Sequence, residues 1–324
     1  MILNYKLKKK LIFHMPRDVW VEPTNYCNLR CIMCPQGIDE VGEKGFMDLN
    51  LFKSIIDQCA SFQPTIHLFM GGESLLHKDI LTMIEYVKNK GLSSVLATNA
   101  ILLDSSLSLK LMNSGIDYLV FSFDGYDETS YNNIRIGGDF SKTLGNIIGF
   151  LRLKKEMRKE KPKITLYSLA LAPEKILKEE MREYKKFHEN FSNLPVDNFI
   201  VGEAEAWAGK FYGTTKFKVR KPGPHFIPCP RLWKDMAIRW DGKVVPCCAD
   251  LKGDLILGEV DKTRLEEIWN GERLVSLRGL MVEGRHQEIA LCRNCNEPYP
   301  SSNMMKWGLP YDYIPGPILK ILRI

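Results

Sequence analysis

The stretch CNLRCIMC, Cys27 to Cys34, directly follows DVWVEPTNY, residues 18–26. It sets three cysteines in a Cys-x3-Cys-x2-Cys pattern. A cubane iron–sulfur cluster takes four thiolates, and a structural zinc site also takes four ligands. Three thiolates on a four-iron cluster leave one iron open to a small chelating molecule. A zinc site whose fourth ligand lies elsewhere uses the same spacing, so the surroundings must decide.

Outward from this stretch, strand-like and helix-like patterns alternate from Asp18 to about residue 202. DVWVEPT, TIHLFM, LSSVLAT, DYLVFSF, KITLYSLAL and VDNFIVG read as six strands. About five helices separate them, two of which close on Gly91 and Gly115. This α/β alternation implies a parallel sheet with helices outside, open or rolled toward a barrel. Ligands in such folds gather at the carboxyl ends of the strands, and the three-cysteine loop follows strand one.

After residue 203 the pattern changes. KPGPHFIP, residues 221–228, reads as a linker. MAIRWDGKVVPCC, from Met236 to Cys248, reads as a hairpin with Asp241-Gly242 at the turn. LEEIWNGERLVSLRGLM, from Leu265, is helical with an interruption at Asn270-Gly271, and CRNC follows in a loop. The expected organisation is a basic segment over 1–17, a barrel over 18–215, a small cysteine-rich domain over 225–300 and a tail over 301–324 that packs back on the body.

The 324 residues carry 45 Lys and Arg against 39 Asp and Glu, a net charge of +6. The basic runs KLKKK, RLKKEMRKEKPK and KFKVRKPG read first as solvated faces, with an anionic partner as the sharper alternative. No nucleic-acid-binding module accompanies them. No apolar run reaches membrane-span length, and the start lacks a signal-peptide cleavage site, so a cytoplasmic protein is expected. Nine cysteines at short spacings in such a protein point to metal or redox chemistry before disulfides.

CNLRCIMC resembles the signature of the radical S-adenosylmethionine (radical SAM) superfamily. Three further stretches resemble that family's motifs: MGGES after strand two, ATNA after strand three, and SFDGYDETSYNNIRIGGDF after strand four. The resemblance implies a partial (βα)6 TIM-type barrel and a [4Fe-4S] cluster held by Cys27, Cys31 and Cys34. It implies S-adenosylmethionine on the open iron, with Gly71, Gly72, Glu73, Thr98, Asn99, Ser122, Asp124 and Arg135 as cofactor contacts. Glu73 would accept from the ammonium group, and Arg135 would fork onto the carboxylate. It also implies a flavodoxin- or ferredoxin-type electron donor. Ser74 and Ala100 depart from the family pattern, which often has proline and glycine there.

Cys229, Cys247, Cys292 and Cys295 resemble the ligand set of the family's SPASM and twitch extensions, with spacing similar to that of a radical SAM aminocyclitol dehydrogenase. This implies an auxiliary [4Fe-4S] cluster; a zinc ribbon is the alternative. In an extended segment Cys248 would face away from Cys247, as a packing residue or a hydrogen-atom donor. Cys59, between apolar helix residues, reads as core. Glu205 and Asp250 are candidate acid–base groups, or plain loop carboxylates. The expected reaction is dehydrogenation of a small polar substrate such as a sugar or aminocyclitol. Epimerisation and peptide modification are alternatives, the latter ranked lower because about seventeen residues precede strand one.

Overall fold

Alternate residues of the first five strands are buried, and that pattern fixes the sheet. In β1 (Asp18–Val21) Val19 and Val21 are inside, in β2 (Thr65–His67) Ile66, in β3 (Ser93–Thr98) Leu96, and in β4 (Tyr118–Ser122) Leu119 and Phe121. β5 (Lys163–Ala170) adds Ile164 and Leu166. These share one core with Phe52, Ile56, Ile84, Ile147 and Phe150 of the helix layer. The opposite face, with Trp20, His67, Ser122 and Tyr167, is only half-buried, as in an open barrel lumen. The computed structural model describes residues 2–171, 177–211, 217–300, 305–306 and 309–310. The tail expected to pack on the body lies almost wholly outside the described residues.

Four of the described helices start at an aspartate that caps them. Asp48 accepts from the amides of Asn50 and Leu51 at the head of α2 (Leu49–Cys59), after the short α1 (Ile2–Lys6). After α3 (Ile80–Asn89), Asp104 caps α4 (Ser105–Asn113) and Asp139 caps α6 (Phe140–Glu156). Asp127 and Ser130 form a capping box for α5 (Glu128–Ile134). That polar helix has no apolar period, so the hydrophobic pattern does not announce it.

β1 to β5 and β6 (Asn198–Glu203) run parallel in sequence order, with α7 (Leu177–Glu189) between the last two. The sheet does not stop at β1. β7 (Asp235–Ile238), preceded by α8 (Arg231–Lys234), pairs parallel with β1, Val19 opposite Met236. β8 (Lys243–Val245) and β9 (Gly258–Glu259) then follow antiparallel. The full order is β6-β5-β4-β3-β2-β1-β7-β8-β9. A partial barrel leaves the backbone groups of β1 unpaired on one side, and β7 satisfies them. α9 (Leu265–Trp269) and α10 (Glu272–Val282) flank this added sheet, interrupted at Asn270-Gly271 as the sequence predicts.

Candidate active site

The three-cysteine loop leaves the carboxyl end of β1. Its residues Leu29, Cys31 and Met33 pack with Leu171 and Ala204 in a small core of their own. Burial, first of all, pushes the Cys27 thiol up to about 11 and Cys34 to about 12. The Cys27 and Cys31 thiols add repulsion at Cys34. Buried thiols held neutral this way need a cationic centre to replace their protons.

Gly72 is required by close approach. A Cβ there would stand 2.4 Å from the carbonyl oxygens of Thr24 and Tyr26. The next amide, of Glu73, donates to the Tyr26 carbonyl (2.8 Å), which locks the Gly71–Glu73 loop onto the start of the cysteine loop. Ser74, where the family often has proline, donates through Oγ to the Leu68 carbonyl (2.7 Å) and ties the loop to the end of β2. Gln36 donates to the carbonyls of Asn25 (2.5 Å) and Gly71 (2.6 Å) and clamps the same two loops.

Glu73 is buried, and its carboxylate already accepts three bonds. Oε1 takes the Leu75 amide (3.1 Å) and the Thr98 hydroxyl (2.8 Å), and Oε2 takes the Asn99 amide (2.8 Å). A carboxylate offers about four lone-pair positions, so one on Oε2 remains for a ligand ammonium. Asn99 also donates through Nδ2 to Asn28 (2.8 Å), beside Cys27. Ala100 adopts φ 60°, the left-handed region that explains why glycine is common there. Asp124 accepts from Arg135 Nη2 (2.6 Å) and from the Leu169 amide (2.7 Å). Both its oxygens are engaged, so it orients Arg135. The buried Arg135 Nε has no partner among the described residues, a donor suited to an incoming carboxylate. Ser122 ends β4 on the half-buried face.

The second centre is a cavity of about 110 Å³ lined by Cys229, Cys247, Cys248, Cys292 and Cys295. That is well under the roughly 300–1,000 Å³ of organic ligand sites, and suits a small inorganic core. Burial raises all five thiols, Cys295 to about 11 and Cys292 to about 12. Among the described residues no three His, Cys, Asp or Glu side chains close on one point as the ligands of a single ion do. The thiols ring the cavity instead. Cys248 does not face away from Cys247: β8 ends at Val245 and the chain turns, the Asp250 amide donating to the Cys247 carbonyl (3.1 Å). Strand alternation no longer applies, and both thiols reach the same cavity.

Charged residues that carry no sequence signal sit beside these thiols. Arg231 lines the cavity, 3.7 Å from Cys248 Sγ, and pairs with Asp235 (3.3 Å) and Glu297 (3.6 Å). Arg220 pairs with Glu297 (3.1 Å) and Glu205 (3.5 Å). The Glu205 carboxyl is pushed up to about 7, by burial first and then by Glu297. Asp250 is not among the residues that line the cavity. Its buried carboxylate accepts the amides of Asp254 (2.8 Å) and Leu255 (3.0 Å) and shapes its own loop. Cys59 is buried in the main core.

Two contacts connect the centres. Trp207 lines the auxiliary cavity and donates to the Met33 carbonyl in the cysteine loop (3.1 Å). Glu22, fully buried, accepts the Gly71 amide (3.0 Å) on one oxygen and the Trp240 amide of the β7–β8 turn (3.3 Å) on the other. Nothing in DVWVEPT beyond its strand pattern marks that role.

Residues 21–175 match the model of the radical SAM superfamily, and residues 229–296 match SPASM, an iron–sulfur cluster-binding domain. The chain therefore carries a radical SAM domain followed by a SPASM domain. The donor sets fit the cofactors of that class: a [4Fe-4S] cluster with S-adenosylmethionine at the three-thiol loop, and an auxiliary cluster at the cavity. A cofactor-modifying protein for a tungsten-containing aldehyde ferredoxin oxidoreductase, from Pyrococcus furiosus, is 26% identical over 80% of this chain and 82% of its own. The Fe-coproporphyrin III synthase of Methanosarcina barkeri is 33% identical over 44% of this chain, a match spanning 34% of the synthase. A structure of BtrN in complex with AdoMet and 2-DOIA superposes with a TM-score of 0.60 at 18% identity, over 93% of this chain and 99% of BtrN, a likeness of fold. Among the described residues no helix is long and apolar enough to cross a membrane.

Proposed function

We propose that this radical SAM enzyme dehydrogenates a small polar substrate of the sugar or aminocyclitol kind. The observation that carries the reading is one cavity wall shared by five thiols, Glu205 and Glu297. When bound, the first cluster supplies reductive cleavage of S-adenosylmethionine to methionine and a 5′-deoxyadenosyl radical, and the auxiliary cluster supplies a one-electron acceptor. The substrate gives up one hydrogen atom, one proton and one electron, a net two-electron oxidation.

Cys27, Cys31 and Cys34 would hold the first cluster. The free position on Glu73 Oε2 would bind the ammonium group of S-adenosylmethionine, and Arg135, oriented by Asp124, its carboxylate. Thr98 and Asn99 fix Glu73, and Ser122 would make a polar contact to the cofactor. Cys229, Cys247, Cys292 and Cys295 would hold the second cluster. Glu205 takes the proton: a carboxyl near 7 is partly ionised at neutral pH. Arg220 and Glu297 hold it in place. Free thiols throughout the chain suit a reducing, cytoplasmic setting, where a flavodoxin- or ferredoxin-type protein would deliver electrons.

The substrate class is supported by the likeness in fold to BtrN, whose complex contains 2-DOIA. Anaerobic incubation of the reconstituted enzyme with S-adenosylmethionine, a reductant and a panel of aminocyclitols and sugars tests it. One two-electron-oxidised product per 5′-deoxyadenosine is expected. A second reading, epimerisation with Cys248 as hydrogen-atom donor, is favoured by the entry of that thiol into the cavity. It requires solvent deuterium at an inverted carbon with no oxidation, an outcome that would replace the first reading.

A further inference from the structure

Nothing in the chemistry above uses residues 3–13, yet they are held firmly. The Trp233 indole donates to the Lys9 carbonyl (2.8 Å), Arg278 to that of Lys10 (3.2 Å), Asn270 to that of Ile12 (2.8 Å), and the Tyr5 hydroxyl to that of Pro228 (2.7 Å). Tyr5 and Ile12 are buried in the main core. A segment anchored at so many points is not a frayed terminus.

Its outer side is unusual. Leu3 is 67% exposed, Leu7 56%, Leu11 60% and Phe13 100%. Single exposed apolar residues are ordinary, but a group of them projecting from a fixed backbone marks a contact surface. Lys6, Lys8, Lys9 and Lys10 lie among them and are exposed. Lys10 meets Glu283 (2.8 Å), while Lys6, Lys8 and Lys9 face no carboxylate among the described residues. Projecting leucine and phenylalanine beside uncompensated lysines match the interface of an anionic bilayer. The apolar side chains enter the acyl boundary, and the lysine stems lie along it with their ammonium groups on the headgroups.

We propose that residues 3–13 dock this enzyme on an anionic lipid surface, with Leu3, Leu7, Leu11 and Phe13 inserted and Lys6, Lys8 and Lys9 reading the charge. The docking is peripheral and does not depend on which reaction the enzyme catalyses. It sets the C-terminal extension, against which the segment packs, next to the membrane.

The test is flotation of the full-length reconstituted enzyme with phosphatidylglycerol–phosphatidylcholine vesicles, and with phosphatidylcholine vesicles alone. Co-flotation with the anionic vesicles, weakening as salt rises, is expected. The double change Leu7→Asp and Phe13→Asp should cut the bound fraction about tenfold. Lys8→Glu with Lys9→Glu should remove the preference for anionic lipid. Iron content and cleavage of S-adenosylmethionine in solution should stay unchanged in both variants, which shows that they fold. Failure of the unmodified enzyme to float, or flotation indifferent to both variants, overturns the proposal. So does loss of electron uptake from reduced flavodoxin in the lysine variant with flotation intact, because the patch is then a protein-docking surface.

Discussion

In the loop Cys27–Cys34 three thiols come from one short stretch, whereas Cys229, Cys247, Cys248, Cys292 and Cys295 reach their cavity from three separate stretches. The first centre is local. Its loop carries its own small core and leans on Gly72, Gln36 and Glu73. The second centre exists only once the hairpin, α8 and the CRNC loop have packed together. It also gathers charge, with Arg231, Arg220, Glu205, Glu297 and Asp235 in one network. The first centre offers ligand positions to a cofactor: one lone pair on Glu73 and one free N–H on Arg135. The second closes thiols around a small cavity and surrounds them with fixed charges. An open site and a closed site follow from this difference.

The largest expected effect separates the two centres outright. Changing Cys27, Cys31 and Cys34 together to Ala should drop cleavage of S-adenosylmethionine to background and halve the iron of the reconstituted protein. Changing Cys292 and Cys295 to Ala should also halve the iron but keep 5′-deoxyadenosine formation while oxidised product disappears. Loss of all iron in the first variant would break the comparison, because the second centre would then hold no cluster of its own.

A smaller effect is expected at Arg231. Its guanidinium is the only Lys or Arg side chain among the described residues lining the auxiliary cavity. Cluster potentials follow the net charge around them. Arg231→Met removes the one cationic side chain beside the thiolates, while Arg220 still pairs with Glu297 and Lys234 with Asp235. The auxiliary midpoint should fall by on the order of 50–100 mV, the equivalent of about 1–2 kcal/mol for one electron. Product formation should slow while 5′-deoxyadenosine formation persists, and Arg231→Lys should recover part of the shift. An unchanged potential would make Arg231 a packing residue.

Glu73→Gln probes the open site more gently. A carboxamide presents an oxygen to Leu75 and Thr98 but turns an NH2 toward the Asn99 amide. One buried donor is left unmet, at about 1–3 kcal/mol. The same NH2 replaces the lone pair offered to the ligand ammonium, so affinity for S-adenosylmethionine, measured by equilibrium dialysis, should fall by about 1–3 kcal/mol, roughly 5- to 150-fold, with the iron content of the first centre retained.

The sequence makes these two centres unequally legible. Strand periodicity, glycine caps and the Cys-x3-Cys-x2-Cys spacing are local, so the six parallel strands and the first loop could be read directly. The Asp241-Gly242 turn and the Asn270-Gly271 break were legible for the same reason. The continuation of the sheet through β7 was not, because pairing with β1 depends on an open barrel edge that no local pattern encodes. Cys248 was misplaced because alternation holds only while the strand lasts. Arg231, Glu297, Gln36 and Glu22 carry no motif at all; each matters through what folding sets against it. Asp250 looked catalytic by its place after Cys248, yet its carboxylate serves two nearby amides.

Glu22 joins the Gly71 loop to the β7–β8 turn, and it gives the subtlest test. Burial raises its carboxyl from the ordinary 4.5 to about 7. Between those values the folded protein binds a proton that the unfolded chain releases. Stability from this group is therefore greatest below pH 4.5, declines as the pH climbs to about 7, and levels off above. The loss across that window is on the order of 3 kcal/mol. Glu22→Gln cannot ionise and lacks that slope, though its NH2 faces the Trp240 amide and gives up one long hydrogen bond. Wild type and variant should have similar melting temperatures near pH 5, and the variant should melt higher above about pH 7. Taking the difference between the two proteins cancels the titration of the thiols they share. Parallel curves would mean that Glu22 ionises freely, and that the Gly71 loop and the β7–β8 turn are joined by packing alone. Divergent curves would show that this carboxyl stays protonated as it accepts from the Gly71 loop and the β7–β8 turn.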